Sequence, residues 1–433
     1  MWLVNTKRAV LRGHIRLERM DEILESMSNG MQHPIQEPPP SNPGYAILSH
    51  TWDEATQEVS FSDLERLGQG NSKRGFVKIR SACQQALRDG FLHIWIDTCC
   101  IDQRSSSELQ EAINSMFRWY SDAAICYVYL SDFSSNCTPT LRENLYQADI
   151  DRCMPQFGAC RWFTRGWTLQ ELIAPTKVAF FDRSWTFIGE KSTLVKQLSA
   201  VTKIDPLVLE NCYDLSALSI AKRMSWAAKR KTKRIEDQAY CLLGILGINM
   251  TMLYGEGEKA FARLQRELIS VSADCSIFLS RRTLPQGLLA TSPVAFELCH
   301  DVVRCKDLEL QYSYELTQRG MKLDLPLLEI GKQHYLAILP VRLETDYQHL
   351  LAVHLAERGE DKLWGERIRF CAIQSCSTDC RDTGSSLDHG NMHFANSTML
   401  TKAKRSLVLI PWGNFTTRAD FSVLKYTSPI WIP

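Results

Sequence analysis

The chain of 433 residues is long enough for two or three domains, and its hydrophobic content of 45% suffices for a core. Lys and Arg number 50 against 49 Asp and Glu, so no overall charge directs the chain to nucleic acid or to an anionic membrane. The start lacks the apolar core of a signal peptide, and no run of 18 or more apolar residues follows. These features predict a cytoplasmic protein with no membrane span and argue against a nucleic-acid partner.

The 15 cysteines are scattered, and several lie in apolar runs, which is typical of reduced, buried thiols. The one local cluster, between residues 371 and 380, lacks the paired C-x-x-C spacing of a zinc site. Residues 255–260, GEGEKA, lack the frame of a phosphate loop. The sequence therefore predicts no metal site, no NTPase module and no bound cofactor.

Residues 12–43 form a polar, helix-capable segment that continues into the end of EPPPSNPG (37–44), a composition that stiffens a linker and excludes regular structure. We interpret this segment as an insertion or linker ahead of the first buried strand.

Four short apolar runs follow, of the kind that suits strands buried on both faces of a parallel sheet. They are YAIL (45–48), HIWI (93–96), ICYVYL (125–130) and VAFF (178–181). Residues with helical spacing separate the first three runs, and Ser107 with Gln110 can form a capping box before the second helix. The alternation predicts a doubly wound α/β fold, with a mainly parallel sheet over residues 44–185 and ICYVYL as its central strand.

Ligands of such sheets bind beyond the carboxyl ends of the strands. Three segments are expected there: SHTW (49–52), DTCCIDQ (97–103) and RWFTRGWTLQELIAP (161–175).

From about residue 219 to 272 the pattern becomes helical, with helices predicted at 235–247 and 256–271. We expect both helices to dock onto the α/β domain, because their apolar faces cannot remain in water. The basic stretch KRMSWAAKRKTKR (222–234) is expected to be either a solvent-exposed helix face or a binding patch for RNA or phosphoinositide. From 285 to 433, short β-prone runs between Gly, Pro and Asp predict a mostly β C-terminal domain of unknown role.

Several of these motifs together resemble the fungal heterokaryon incompatibility (HET) family, of the vegetative-incompatibility type. The motifs are YAILSHTW, GFLHIWIDTCCIDQ, EAINSMFRWYSDA, RWFTRGWTLQELIAP, FFDRSW, RMSWAAKRKTKRIEDQAYCLLGI and MLYGEGEKAFARLQREL. The likeness covers residues 1–5 and 44–280, which sets the predicted HET domain at 1–280. Asp102 stands where many relatives carry Asn, so a role that needs an amide there does not carry over.

The resemblance implies a role in non-self recognition and regulated fungal cell death. Larger members attach the domain to a nucleotide-binding switch and a repeat sensor, so the chain looks like an effector without its own switch. The implied partners are other incompatibility proteins or NLR-type signalling proteins, and a homo-oligomer is a further expectation.

HET domains are more distantly similar to TIR domains, whose flavodoxin-like sheet carries a W-C-x-x-E-L motif on the helix after its third strand, for which ICYVYL is the candidate here. Here the motif reads WTLQEL over 167–172, with Thr168 in place of Cys and Glu171 at the glutamate position. Some TIR domains cleave NAD with that glutamate, and others only assemble partners. The resemblance thus implies Glu171 as the candidate catalytic residue and NAD or a small nucleotide as a candidate substrate.

Glu171 has two structural alternatives. In the first, Thr168 and Glu171 have the T-x-x-E spacing of a capping box at the start of a helix. In the second, Glu171 forms an ion pair with Arg165. A helix that begins near Thr164 would instead place Trp167 and Glu171 on one face.

The candidate ligand contacts lie in the same three segments: Ser49, Trp52, Asp97, Asp102, Arg165 and Trp167. Asp97 and Asp102 could close over a ligand or could cap the helix that follows them. The two tryptophans could stack on a base or belong to the core. Two functions stay open: a nucleotide-hydrolysing effector, and a non-enzymatic interaction module that nucleates a death-signalling complex.

Overall fold

The computed structural model describes most of the chain up to residue 305 and separate segments beyond it. The described residues are 1–11, 15–29, 44–54, 56–65, 72–134, 155–280, 289–305, 313–317, 320–325, 327–331, 334–347, 349–357, 363–374, 408–411, 423–424 and 430–432. They belong to two compact units, one formed by Met1–Leu215 with Lys229–Gly257 and the other by Ser216–Ala228 with Glu258–Pro433. The predicted boundary between 280 and 285 stays a prediction.

The first unit is built on a seven-stranded sheet with the strand order β2-β1-β4-β3-β5-β6-β7. Its strands are β1 (Trp2–Asn5), β2 (Leu17–Arg19), β3 (Ala46–His50), β4 (His93–Ile96), β5 (Ile125–Tyr129), β6 (Val178–Phe181) and β7 (Phe187–Glu190). The four middle strands, β4, β3, β5 and β6, are parallel, whereas the pairings at both edges of the sheet are antiparallel. Every residue of β3 and β6 is buried, as expected for strands covered on both faces.

The α/β class and the four parallel strands confirm the sequence prediction, but the identity of the central strand was wrong. The central strand is Ala46–His50, and Ile125–Tyr129 lies beside it. The reason is that β1 and β2 extend the sheet beyond β4 on the other side. Residues 1–5 and 17–19 are too short to stand out as strands by periodicity.

Part of the predicted linker has regular structure. Within residues 12–43, β2 pairs with β1 through Trp2 and Arg19, and the helix Met20–Asn29 follows directly. Residues 30–43, which include EPPPSNP, lie outside the described residues.

Helices of the first unit cover both faces of its sheet. The described helices of the two units together are α1 (Thr6–Leu11), α2 (Met20–Asn29), α3 (Phe61–Glu65), α4 (Arg74–Arg88), α5 (Ser106–Asp122), α6 (Thr168–Ile173), α7 (Val195–Thr202), α8 (Pro206–Leu209), α9 (Ile220–Ser225), α10 (Asp237–Tyr240), α11 (Leu243–Leu246) and α12 (Lys259–Val271). The chain reverses direction across the sheet after β4, so right-handed crossovers place α4 and α5 on opposite faces. Accordingly α4 packs with α1, whereas α5 packs with α6 and α11. None of the helices in the described part of the chain is long and apolar enough to span a membrane.

The N-terminus of α5 differs from the predicted capping box. Ser105 is the N-cap, and its Oγ accepts the backbone N–H of Glu108 at 3.3 Å. The predicted pair, Ser107 and Gln110, lies inside the helix. The motif S-x-x-E therefore starts two residues earlier than expected, because the chain already turns at Asp102 and Arg104.

Gly244 in α11 marks the closest approach of that helix to α5. A Cβ at this position would overlap the side chain of Phe117. We expect Gly244→Ala to lower the free energy of unfolding by about 1–3 kcal/mol through overpacking, measured by urea denaturation. Gly158→Ala is the control, because its Cβ would meet the Val201 side chain, with Cγ2 at 2.9 Å, which is less close than the approach to Phe117 Cβ at Gly244. An equal loss in both variants would contradict this close packing.

The second unit contains α9, α12 and the described strands beyond residue 300. These strands are β8 (Val302–Arg304), β9 (Ser313–Thr317), β10 (Gly320–Asp324), β11 (Leu327–Gly331), β12 (His334–Ile338), β13 (Val341–Leu343), β14 (His349–Glu357), β15 (Leu363–Gln374), β16 (Val408–Pro411), β17 (Val423–Leu424) and β18 (Ile430–Ile432). A separate, mostly β domain over 285–433 stays a prediction. Of the two helical segments predicted after residue 234, α10 and α11 belong to the first unit and α12 to the second.

Candidate functional site

Polar side chains gather at the carboxyl ends of the two neighbouring parallel strands β3 and β4. Ser49 and His50 are the last residues of β3, and Asp97 directly follows β4. The strand order reverses between β3 and β5, so the carboxyl end of β3 borders the switch point at which open α/β sheets bind ligands. The position expected for SHTW and for the start of DTCCIDQ is therefore observed.

Glu171 joins this cluster from α6. The Ser49 hydroxyl donates a hydrogen bond to Glu171 Oε2, and Ser49 Oγ in turn accepts from Trp162 Nε1 at 2.8 Å. A short 3-10 helix, Arg161–Thr164, brings Trp162 to this place, and all three side chains are buried. The result is a directional chain of hydrogen bonds from the indole through the hydroxyl to the carboxyl group.

Glu171 is held without a direct cationic partner among the described residues, and its pKa reflects this. Burial raises the pKa of Glu171 to about 8, and the neighbouring Asp97 carboxylate adds to the increase. The Ser49 hydrogen bond, Arg165 and Arg230 oppose the increase only in part. In the free protein, Glu171 is therefore largely protonated at neutral pH.

The two structural alternatives for Glu171 are not observed. The helix begins at Thr168, whose hydroxyl donates to the carbonyls of Trp162 and Arg165 rather than capping the helix. Within the described residues, no ion pair joins Glu171 to Arg165, and the Glu171 carboxyl bonds to Ser49 instead. The helix also does not start near Thr164, because the 3-10 turn ends there. Whether Glu171 contacts a ligand stays a prediction.

Asp97 is the second carboxyl group of the cluster. It accepts from Trp52 Nε1 at 2.7 Å, and its Oδ1 lies 3.0 Å from His50 Nε2. Burial raises the pKa of Asp97, but His50, the two hydrogen bonds and Lys78 together hold it below the ordinary value. Asp97 is thus ionised while Glu171 is protonated. Environments that separate the pKa values of two neighbouring carboxyl groups are typical of acid–base sites.

Asp102 does not join the hydrogen-bond network of Glu171. It accepts from Arg104 Nε at 2.8 Å and Nη2 at 2.7 Å, and Arg104 also pairs with Glu65 at 2.8 Å. Of the two predicted loop carboxylates, the structure therefore brings only Asp97 to Glu171.

The other two predicted contacts face different neighbours. The backbone carbonyl of Arg165 accepts from Arg230 Nη1 at 2.8 Å, while its guanidinium acts on Glu171 only electrostatically. The indole of Trp167 bonds to Asp237, as the Tyr254 hydroxyl does at 3.0 Å. Trp167 thus anchors the segment that contains α10 and lies outside the Ser49–Glu171 network.

Sequence reasoning missed three members of the site. Trp162 and His50 lie inside quoted motifs, yet nothing in a sequence shows which indole or imidazole faces the carboxyl groups. Arg230 is buried, and its Nη1 also donates to Thr168 Oγ1 at 2.9 Å. The only signal for Arg230 is its place in the basic stretch, which periodicity alone assigns to a solvated face.

Comparison with known proteins places these features in a family. Residues 45–152 match the family model described as heterokaryon incompatibility protein (HET). Vegetative incompatibility protein HET-E-1 of Podospora anserina is 48% identical over 249 residues, which cover 57% of this chain and 18% of that protein. The chain thus spans less than a fifth of the length of that relative, and no solved structure matches it significantly. This chain carries a heterokaryon incompatibility domain of the vegetative-incompatibility type.

Proposed function

We propose that the chain acts in fungal non-self recognition and cell death by cleaving the N-glycosidic bond of NAD or a related nucleotide, with Glu171 as the catalytic carboxylate. The observation that carries this proposal is the buried Glu171, without a directly paired cation among the described residues, at the switch point of the sheet. Burying such a group costs stability, and groups of this kind concentrate at functional sites.

The strand order supports a flavodoxin-like or TIR-like arrangement of the site. Numbered in chain order, the four parallel strands follow the order 2-1-3-4, which is that of flavodoxin-like sheets up to the fourth strand. The WTLQEL helix follows the third of these strands, as the corresponding helix does in the TIR motif.

The chemistry needs little beyond one carboxylate. Nicotinamide leaves as a neutral molecule with the bonding electron pair, water adds to ribose C1′, and a proton is released. The transition state resembles an oxocarbenium ion, so a negative charge beside the ribose stabilises it. Bound substrate is itself cationic at this end, which favours ionisation of Glu171. Asp97 is already ionised, so its negative charge would also stabilise this transition state.

The test is nicotinamide release from NAD by the purified protein. We expect Glu171→Gln to lower release at least a hundredfold, because Gln keeps the shape but not the charge. Since free Glu171 has a pKa of about 8, kcat/KM should increase with pH until about pH 8 and then level off.

Glu190→Gln is the matched control, because Glu190 is exposed at the end of β7 and the same atoms are exchanged. Release that persists in Glu171→Gln would contradict the catalytic role. A folded wild-type protein that cleaves neither NAD nor related nucleotides, yet still arrests fungal growth, would favour the non-enzymatic interaction module.

Partners from an incompatibility system, NLR-type signalling proteins and self-association are further parts of the proposal. They are supported by the similarity to vegetative incompatibility protein HET-E-1. The cytoplasmic location stays a prediction.

A further inference from the structure

The basic stretch at 229–234 lies beside the candidate site. The backbone N–H of Lys231 donates to the Thr164 carbonyl at 2.6 Å, and the Gly166 N–H donates to the Lys231 carbonyl at 2.9 Å. These two bonds form a parallel bridge between Arg165 and Lys231. Five of the six residues from 229 to 234 are Lys or Arg, so the bridge carries a dense positive charge to the edge of the site.

Two cationic side chains from different segments contact Trp52, one at its ring and the other at its backbone carbonyl. Lys233 Nζ lies 5.5 Å from the centroid of the Trp52 ring. Arg161 Nη2 donates to the Trp52 carbonyl at 3.3 Å and to Thr51 Oγ1 at 3.0 Å. Both basic residues are exposed, and neither forms an ion pair with another described residue.

Trp52 also connects these cations to the carboxyl groups. Its indole donates to Asp97, which acts electrostatically on Glu171. The charge therefore changes from negative at Asp97 to positive at Arg161 and Lys233, with Trp52 between them. A dinucleotide with a cationic base has the complementary pattern, because its diphosphate lies next to the positively charged N-glycoside.

We infer that Arg161 and Lys233 form a binding subsite for the diphosphate of the nucleotide, with Trp52 as its floor. Guanidinium and ammonium groups suit this role, the first as a planar donor and the second as a point charge. The inference rests on the proposed function for the identity of the substrate, but the anion site itself is testable without it.

Inorganic pyrophosphate is the probe for the anion site. At low ionic strength it should raise the melting temperature of the wild-type protein, and less so that of Lys233→Gln and Arg161→Gln. Lys177→Gln is the matched control, because Lys177 is exposed next to the amino end of β6, at the opposite edge of the sheet. An equal shift in all four proteins, or no shift in any, would overturn the subsite.

Kinetics then test whether the bound anion is the diphosphate of the substrate. We expect Lys233→Gln to raise KM for NAD by roughly three- to tenfold more than KM for nicotinamide riboside, which has no phosphate. Equal increases for both substrates would contradict a diphosphate contact. If the wild-type protein cleaves neither substrate, the proposed function fails, while the pyrophosphate measurement still decides the anion site.

Discussion

Replacing Glu171 by Gln should stabilise the protein, and the gain should grow with pH. The folded-state pKa of about 8 exceeds the ordinary value of 4.5, so between these pH values the folded state holds a proton that the unfolded state has lost. Wild-type stability therefore falls by up to about 1.4 kcal/mol per pH unit as pH rises through this window. It levels off above pH 8, where both states are ionised. Gln carries no titratable proton and escapes this loss.

The measurement is the melting temperature of both proteins from pH 5 to pH 9. Thr168→Ala is the control, because it removes the hydroxyl that anchors the same helix and should lower stability equally at every pH. A pH-independent loss of about 0.5–2 kcal/mol in Glu171→Gln would instead mean that the carboxylate stabilises the fold. Fungal growth arrest scored on the same variants separates stability from activity.

Breaking the Lys78–Glu58 pair should cause the largest loss of stability. Lys78 Nζ lies 2.5 Å from Glu58 Oε1 and 3.6 Å from Asp53 Oδ2, and both partners of the closer pair are buried. Lys78→Met would leave Glu58 buried beside the Asp53 carboxylate with no cation. We expect a loss of about 3–5 kcal/mol in the free energy of unfolding, measured by urea denaturation.

The double variant Lys78→Met with Glu58→Met should recover most of this loss, because no unpaired charge remains. Lys73→Met is the matched control. Its partner Asp63 lies 2.6 Å away, but both side chains are more exposed, so we expect at most about 1 kcal/mol. Additive losses in the double variant would show that the pair does not act as a unit. Glu58 also accepts the N–H of Asp53 at 2.7 Å, so this pair holds the turn directly after Trp52.

The parts of the fold that the sequence predicted are those set by local pattern. The buried strands of the parallel sheet were found because continuous apolar runs and helical spacing alternate along the chain. The central strand was misjudged because the length of an apolar run says nothing about how many strands pair beyond it. Strands β1 and β2 were missed because runs of four and three residues are too short to show a distinct pattern.

The same limit applies to the site. Ser49, Asp97 and Glu171 could be predicted together because the ends of neighbouring parallel strands meet at one edge. Asp102 lies only five positions from Asp97, yet Arg104 holds it elsewhere. The contact between Arg230 and Thr168 depends on a long-range bridge of the backbone, which no local pattern encodes.

The first unit consists of two separate stretches of the chain, which limits how it can be exchanged between genes. Its last part, Lys229–Gly257, supplies Arg230 and the bridge at Lys231, but it is separated from the rest by Ser216–Ala228 of the second unit. A recombination event that ends at residue 215 would deliver the sheet without the segment that pairs with Thr164 and Gly166. The shortest continuous stretch that carries the whole first unit therefore extends to residue 257 and includes Ser216–Ala228 of the second unit.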